Sequence, residues 1–252
     1  MSIAERVAAF DVTLFEPVEA QTAIEDQRSL LALHAAAAET GDFEYLEIGS
    51  HVGGSLQALV RDPRCTRIVS VDSRPDSQPD GRGHRYAYPG NTTERMLGLL
   101  AAIEDADLTK VETIDAETGD IPPASLRAPL IAFIDGEHTD GAALADARWC
   151  RAVLGGSPGV IAFHDAWIVH RAIRGFLDEL EGEEFGAALL PDSIVAVELG
   201  PPRLLRSAAV RSRLDRSVWA YLDGMARQAA HREASAAGGS RLSRVRRRLL
   251  RR

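Results

Sequence analysis

The chain has 252 residues and is 45% apolar, enough to bury a full core in one or two domains. No stretch approaches the roughly 18 consecutive apolar residues that span a bilayer. Glu5 and Arg6 stand where a secretory signal would be apolar, so we expect a cytoplasmic protein. Cys65 and Cys150 lie far apart without a C-x-x-C partner, which argues against a disulfide framework or a cysteine zinc site.

The net charge of −8 is unevenly distributed along the chain. Residues 203–252 contain 14 arginines and three acids, a net of +11, which leaves about −19 for residues 1–202. An acidic body gives no reason to expect nucleic-acid binding. A basic tail is suited to an anionic membrane, an anionic glycan or the body itself.

The apolar periodicity and the glycine and proline positions predict alternating helices and strands. The expected helices are residues 22–40, 52–61, 91–104, 139–153, 168–180 and 207–234. The expected strands are residues 44–48, 67–71, 111–114, 129–134, 160–163, 185–189 and 194–198. Residues 73–90, rich in proline and glycine, are expected to form an irregular loop. The alternation predicts an α/β fold with a doubly wound, mostly parallel sheet of seven strands.

We divide the chain into four parts. Residues 1–41 form an N-terminal helical extension, residues 42–202 the α/β domain, and residues 203–234 a C-terminal helix. Residues 235–252 are expected to be a flexible linker followed by a basic amphipathic tail. The tail predicts transient contact with an anionic membrane, at the inner membrane face, with a disordered solvated tail as the alternative.

The most informative motif follows the first predicted strand. Residues 47–55 read E-I-G-S-H-V-G-G-S, and Asp72 ends the next apolar run. Gly49 lets the backbone pass close to a ligand, because glycine has no side chain to obstruct it. A dinucleotide site requires G-x-G-x-x-G, but His51 occupies the position of the second glycine, which argues against NAD.

This segment resembles the E/D-x-G-x-x-x-G motif of class I S-adenosylmethionine (SAM)-dependent methyltransferases, in the E-I-G-x-x-x-G-x-S form of small O-methyltransferases. The resemblance extends over about residues 42–199 and implies a Rossmann-like fold with an antiparallel last strand. Asp72 would hold the ribose hydroxyls, and the segment at Asp115 and Ala116 would meet the adenine. The full set of implied cofactor-binding residues is Glu47, Gly49, Ser50, His51, Gly53, Ser55, Asp72, Asp115, Ala116 and Asp135.

Several acids end predicted strands and are expected to share one cleft. Ligands in open α/β sheets bind outside the carboxyl ends of the strands. That rule brings together the acids and the histidine at the strand ends: Glu47, Asp72, Asp115, Asp135, His164 and Asp165.

Two further motifs, I-D-G-E-H at residues 134–138 and V-I-A-F-H-D at residues 160–165, resemble a bacterial O-methyltransferase group. Its relatives include metal-dependent sugar O-methyltransferases of antibiotic pathways. The resemblance implies a divalent metal, Mg²⁺ or another ion, held by Asp135, His164 and Asp165. Imidazole suits Mn²⁺, Fe²⁺ or Zn²⁺ better than Mg²⁺. The alternative is that Asp165 caps the next helix and His164 is a hydrogen-bonded residue at the strand end.

Methyl transfer to oxygen needs an activated acceptor, because a neutral alcohol is a poor nucleophile until it loses its proton. Glu137 and His138 are the candidate bases; alternatively Glu137 points to solvent and His138 packs at the start of the helix. Tyr86, Tyr88 and Trp167 are candidates for contact with the acceptor.

The sequence therefore predicts an O-methyltransferase acting on a hydroxyl of a sugar, glycan or secondary metabolite. A homo-oligomer is left open. Two other classes of function also stay open: an NAD-linked oxidoreductase, and a non-catalytic scaffold that recruits a partner through its basic tail.

Overall fold

The computed structural model describes the backbone of residues 1–249 and the side chains of residues 1–232 and 234. The strands of this part are β1 Phe43–Ile48, β2 Cys65–Val71, β3 Ser77–Pro79, β4 Arg85–Ala87, β5 Val111–Ile114, β6 Ile131–Ile134, β7 Gly159–Phe163, β8 Phe185–Leu189 and β9 Val195–Leu199. The α-helices are α1 Ile3–Ala8, α2 Ile24–Glu39, α3 Gln57–Arg61, α4 Thr93–Ala101, α5 Asp140–Leu154, α6 His170–Glu179, α7 Ala208–Arg211 and α8 Val218–Leu249.

Seven strands form one sheet in the order β5-β2-β1-β6-β7-β9-β8. The first five strands in this order, β5, β2, β1, β6 and β7, are all parallel to their neighbours. Strand β9 runs antiparallel to both β7 and β8. The predicted doubly wound, mostly parallel sheet is confirmed, and so is the antiparallel last strand.

The two faces of the sheet are each covered by helices, which gives two large apolar clusters. Phe163 and Phe176 belong to the cluster that includes α5 and α6, and Phe133 and Met96 belong to the cluster that includes α2, α3 and α4. Each buried phenylalanine contributes about 2–3 kcal/mol by leaving water. Because both faces are covered, the carboxyl-end edge of the parallel strands is the open place for a ligand.

Residues 49–56, between β1 and α3, are called the glycine turn here. The helix that follows this turn is shorter than predicted. It begins at Gln57 rather than at residue 52. His51 and Gly53 have positive φ values of 46° and 83°, in the left-handed region that an α-helix cannot accommodate. The turn is therefore a separate irregular segment between β1 and α3.

The expected irregular loop of residues 73–90 contains a hairpin, which corrects the prediction. Strands β3 and β4 pair antiparallel, with Ser77 opposite Ala87. Pro79 is tolerated because it ends β3 in a two-stranded ribbon, where proline's missing N–H does little harm. The hairpin overhangs the carboxyl-end edge of the large sheet, since Gly81 donates its backbone N–H to the carbonyl of His138.

The C-terminal region also differs from the prediction. The single expected helix is two helices, and α8 continues through residues 235–240, where a flexible linker was expected. The helix continues through this segment although each of its two glycines disfavours a helix by about 1 kcal/mol relative to alanine. The side chains of residues 235–249 and all of residues 250–252 lie outside the described part, so the amphipathic tail and its membrane contact stay predictions. Within the described part, no helix combines the length and apolar character needed to cross a bilayer.

Candidate active site

The register of the sheet brings four strand ends to one level. Ile48 lies beside both Val71 and Ile134, and Ile134 lies beside Phe163. Each of these residues is the last of its strand. The residues that follow them therefore form a row along the open edge: Gly49, Asp72, Asp135 and His164.

A cleft of about 350 Å³, also called the first compartment below, lies over this row. Its walls come from the glycine turn, the β3–β4 hairpin and an N-terminal segment, residues 19–22. A second compartment of about 330 Å³ adjoins it and shares Gly49 and Asp72 with it. Asp72 thus lies between two spaces, as expected for a group that holds the middle of an elongated ligand.

At both predicted glycines of the turn, Gly49 and Gly53, a side chain would meet other atoms of the protein. Gly49 has φ +86°, and a Cβ on it would lie 2.3 Å from the carbonyl oxygen of Asp135. Gly53 has φ +83° and faces the side chains of Leu100 and Met96 rather than the cleft. Close backbone contact within the protein, in addition to any contact with a ligand, requires glycine at residue 49.

Other residues of the turn do reach the cleft. Ser50, His51 and Ser55 all line it. The imidazole of His51 packs edge-on against Tyr88, with ring centroids 5.2 Å apart. These contacts place the three predicted turn residues at the ligand space.

Glu47 is fully buried beneath the turn and does not line the cleft. Its carboxyl accepts hydrogen bonds from Tyr45 Oη at 2.7 Å and Ser55 Oγ at 2.6 Å. Burial raises the pKa of Glu47 to about 7, against the lowering effect of these two hydrogen bonds. In the protein alone, Glu47 therefore supports the turn from below.

We expect Glu47→Gln to change how stability depends on pH. The folded protein keeps the Glu47 proton up to a pKa of about 7, whereas the ordinary value is 4.5. Wild-type stability should therefore fall as the pH rises from 4.5 to 7, by about 3 kcal/mol from this group. Urea unfolding of wild type and Glu47→Gln across this range measures the difference, with Glu181→Gln, an exposed acid, as control. Identical pH profiles for wild type and Glu47→Gln would contradict the expectation.

Asp72 lines both compartments, as its predicted role requires. It is 6% exposed, and its carboxylate oxygens accept the backbone N–H groups of His51 at 2.9 Å and Arg74 at 2.7 Å. Arg74 Nη1 also forms an ion pair with Oδ2 at 3.4 Å. A carboxylate has about four acceptor sites, and the two backbone hydrogen bonds leave about two of them. Ribose hydroxyls would share these sites with the Arg74 guanidinium.

Of the two residues predicted to meet the adenine, one lines a compartment and the other does not. Ala116 lines the second compartment, together with Glu117 and Thr118. Asp115 lines neither compartment: its half-exposed carboxylate accepts hydrogen bonds from Thr93 Oγ1 at 2.6 Å and Arg74 Nε at 3.3 Å. Asp115 thus ties the start of α4 to Arg74.

The two candidate bases face different spaces. His138 lines the first compartment, where Nε2 lies 3.3 Å from Asp135 Oδ1 and 3.4 Å from Asp165 Oδ2. Burial lowers the pKa of His138, but the hydrogen bond to Asp135 and the two carboxylates give a net rise. Glu137 lines the second compartment and accepts a hydrogen bond from Thr139 Oγ1 at 2.8 Å.

His164 lies between two acids from distant parts of the chain. Its Nδ1 is 2.7 Å from Asp135 Oδ1, and its Nε2 is 3.3 Å from Asp26 Oδ2. Burial lowers the pKa of His164, but these acids outweigh burial and hold it well above its usual value. Burial likewise would raise the pKa of Asp135, and the charges and hydrogen bonds of His164 and His138 lower it to about 2.

The group with ligand spacing differs from the predicted metal set. Ligand atoms of Asp135, His138 and His164 all lie within 4.8 Å of one another. Asp165 is next to this group through His138, while its Oδ1 accepts the indole N–H of Trp167 at 3.0 Å. Two imidazoles and one carboxylate fit Mn²⁺, Fe²⁺ or Zn²⁺ better than Mg²⁺.

The N-terminal wall of the cleft was not predicted. Glu19, Gln21 and Thr22 line it, and a Cβ on Gly54 would lie 2.4 Å from the carbonyl oxygen of Glu19. The buried Gln57 holds this segment, because its side chain contacts backbone groups of Phe15, Val18 and Gly54 at 2.8–2.9 Å. The paired glycines at residues 53 and 54 were the available sequence signal.

The hairpin supplies the aromatic wall. Tyr86 and Tyr88 line the cleft, in agreement with their predicted position. Trp167 does not line it; the guanidinium of Arg82 lies 4.6 Å above its ring. Arg82 also hydrogen-bonds Asp80 and Tyr86, so Trp167 anchors the hairpin.

No protein-family model matches the sequence, and no curated protein matches it. Among solved structures, the O-methyltransferase NovP superposes with a TM-score of 0.53 at 14% identity, covering 73% of this chain and 84% of NovP. The O-methyltransferase TomG from Streptomyces achromogenes, in complex with SAM, gives a TM-score of 0.49 at 17% identity over 80% of this chain and 91% of TomG.

The strand order, the antiparallel β9 and the likeness to NovP show that the chain has the fold of class I SAM-dependent methyltransferases. At 14% identity this likeness establishes the fold alone. The activity has to be argued from the residues at the cleft.

Proposed function

We propose that the protein is a SAM-dependent methyltransferase that transfers a methyl group to a hydroxyl of a small molecule. The observation that carries the proposal is Asp72, a buried acid at the end of β2 that faces two adjoining compartments beside a glycine turn. In a methyltransferase fold, this is the place of the ribose-binding acid. The neighbouring structures named O-methyltransferases, NovP and TomG, favour oxygen as the acceptor atom.

The two compartments fit the two ends of the donor. The second compartment, with Ala116 and Thr118, would take the adenine. The first, with Ser50 and Ser55, would take the methionine part and the acceptor. Asp72 stands between them and would accept both ribose hydroxyls, so the reacting sulfonium would lie toward the histidines.

His138 is the group best placed to take the acceptor proton. It lines the acceptor compartment, whereas Glu137 lines the other one. Asp135 and Asp165 increase the proton affinity of its imidazole, which makes it a stronger base. Tyr86 and Tyr88 would hold a ring of the acceptor in line with the donor methyl, and orientation of this kind supplies much of the rate. A sugar, glycan or aromatic metabolite would each fit this wall.

In a second form of the mechanism, a divalent ion would be held by Asp135, His138 and His164. His138 would then be a ligand and not the base, and the ion would instead lower the pKa of an acceptor hydroxyl. We expect Mn²⁺ to bind the protein and Asp135→Asn to weaken that binding at least about 10-fold, because it removes the one carboxylate of the set. Isothermal titration with MnCl₂ after EDTA treatment measures this. Asp120→Asn, an exposed acid outside the cleft, is the matched control. Equal Mn²⁺ affinity in wild type and Asp135→Asn would argue against a metal at this place.

Titration with S-adenosylhomocysteine tests the proposed function. We expect wild type to bind it, since the product retains the ribose, adenine and amino acid that the two compartments would hold. The same titration with NADH, followed by nicotinamide fluorescence, addresses the oxidoreductase alternative. Binding of NADH without binding of S-adenosylhomocysteine would overturn the proposal.

A further inference from the structure

Asp26 is an acid that none of the proposed steps uses, although it touches the site. It lies in the first turn of α2 and is 2% exposed. It does not line the cleft. Its Oδ2 lies 3.3 Å from Nε2 of His164, across 138 positions of sequence.

The other contacts of Asp26 fix its carboxylate in place. Ser193, in the turn between β8 and β9, donates its backbone N–H to Oδ1 at 2.9 Å and its hydroxyl to Oδ2 at 2.9 Å. The backbone carbonyl of Ser193 in turn accepts the N–H of Ala166, two residues after His164. Asp26 and His164 are therefore held to the same turn.

Asp26 is one of several attachments of α2 to the domain. Ala32, Leu33 and Ala36 of this helix lie in the apolar cluster on one face of the sheet. Glu25 forms an ion pair with Arg213. Because α2 has these independent attachments, loss of the Asp26 carboxylate should leave the helix in place.

A carboxylate accepts hydrogen bonds and cannot donate one. An imidazole nitrogen that faces a carboxylate therefore carries a proton there. Asp26 faces Nε2 at 3.3 Å and Asp135 faces Nδ1 at 2.7 Å, so in the protein alone both ring nitrogens carry protons. Nδ1 is the nitrogen that faces Asp135, a residue of the cleft, and it is the one that would lose its proton to bind a metal there.

We infer that Asp26 is a positioning residue, which holds the Nε2 proton of His164 and so directs Nδ1 toward Asp135 and the cleft. Without Asp26, Nε2 would lose the carboxylate that it faces, and the ring would keep only its contact with Asp135 through Nδ1. A part in methyl transfer rests on the proposed function; the hydrogen bond and the ring orientation do not.

Long-range ¹H–¹⁵N NMR of protein labelled with ¹⁵N-histidine tests this inference, with His164 identified by its absence from the spectrum of His164→Gln. We expect wild type to show a His164 Nε2 proton protected from exchange with water. Asp26→Ala removes the acceptor of that proton and should lose the signal. Ser193→Ala removes one donor to Asp26 but leaves its carboxylate beside the ring, so the signal should persist.

The affinity for S-adenosylhomocysteine separates positioning from folding. Asp26 lies outside the cleft, so Asp26→Ala should bind S-adenosylhomocysteine within about twofold of wild type. Absence of a protected Nε2 proton in wild type, or its persistence in Asp26→Ala, would overturn the inference. If wild type fails to bind S-adenosylhomocysteine while the NMR results hold, the proposed function falls and the positioning role stands.

Discussion

Asp72→Ala should weaken the binding of S-adenosylhomocysteine by about 100-fold or more. Hydrogen bonds to a charged group contribute about 1.5–3 kcal/mol each, and two ribose hydroxyls would lose their acceptor. A tenfold change in affinity corresponds to about 1.4 kcal/mol. Isothermal titration of wild type and variant measures the ratio directly.

Two further variants serve as comparisons for Asp72→Ala. Asp72→Asn keeps the shape of the side chain, which preserves the turn around His51 and Arg74 better than alanine does. Asp115→Ala removes another strand-end acid that contacts Arg74 but lines neither compartment. We expect Asp115→Ala to bind within about threefold of wild type. Wild-type affinity in Asp72→Ala would mean that the ribose does not lie at the end of β2.

Gly49→Ala should destabilise the fold by about 4 kcal/mol, a large part of the total stability of a typical domain. The left-handed backbone alone costs an ordinary residue about 1–2 kcal/mol. A Cβ on Gly49 would also lie 2.3 Å from the carbonyl oxygen of Asp135. That contact joins backbone to backbone, so relief requires β1 and β6 to move apart, at a further cost of about 1–3 kcal/mol. Urea unfolding measures the loss.

Gly83→Ala is the matched control for Gly49→Ala. Gly83 lies in the hairpin with φ +84°, nearly the value at Gly49, but a Cβ on it would have no atom within 4 Å. Its substitution should cost only the backbone term, about 1–2 kcal/mol. Equal losses in the two variants would show that the close approach of the turn to Asp135 is unimportant.

The framework of the sheet was accessible from sequence because buried parallel strands are short, continuous apolar runs between helices. Ile131–Ile134 and Gly159–Phe163 are such strands, and all their residues are buried. The acids that follow the strands could then be placed at one edge by topology alone. The antiparallel direction of β9 was predicted from the resemblance to class I methyltransferases and not from the apolar pattern.

The contacts that complete the site were not accessible in the same way. In the sequence, Asp26 looks like an ordinary acid in the first turn of a helix, where its negative charge interacts favourably with the positive end of the helix dipole. Its contact with His164 spans 138 residues and leaves no local signal. The same holds for the N-terminal wall and its attachment to Gln57.

The motif also could not tell packing from ligand contact. Gly53 and Glu47 fit the motif, yet Gly53 faces α4 and Glu47 lies under the turn. Glycine is required wherever a backbone approaches another group closely, and the sequence does not say which group that is.

Gln57 has a practical consequence for work with shortened versions of the protein. The strand–helix alternation begins only at Phe43, which invites trimming of everything before it. Removing residues 1–23 would leave a fully buried amide without Phe15 and Val18, its partners, and would strip one wall from the ligand space. Truncation would thus damage the α/β domain at Gln57, 14 residues after the start of the first strand. Screening or crystallisation should therefore retain the amino-terminal segment.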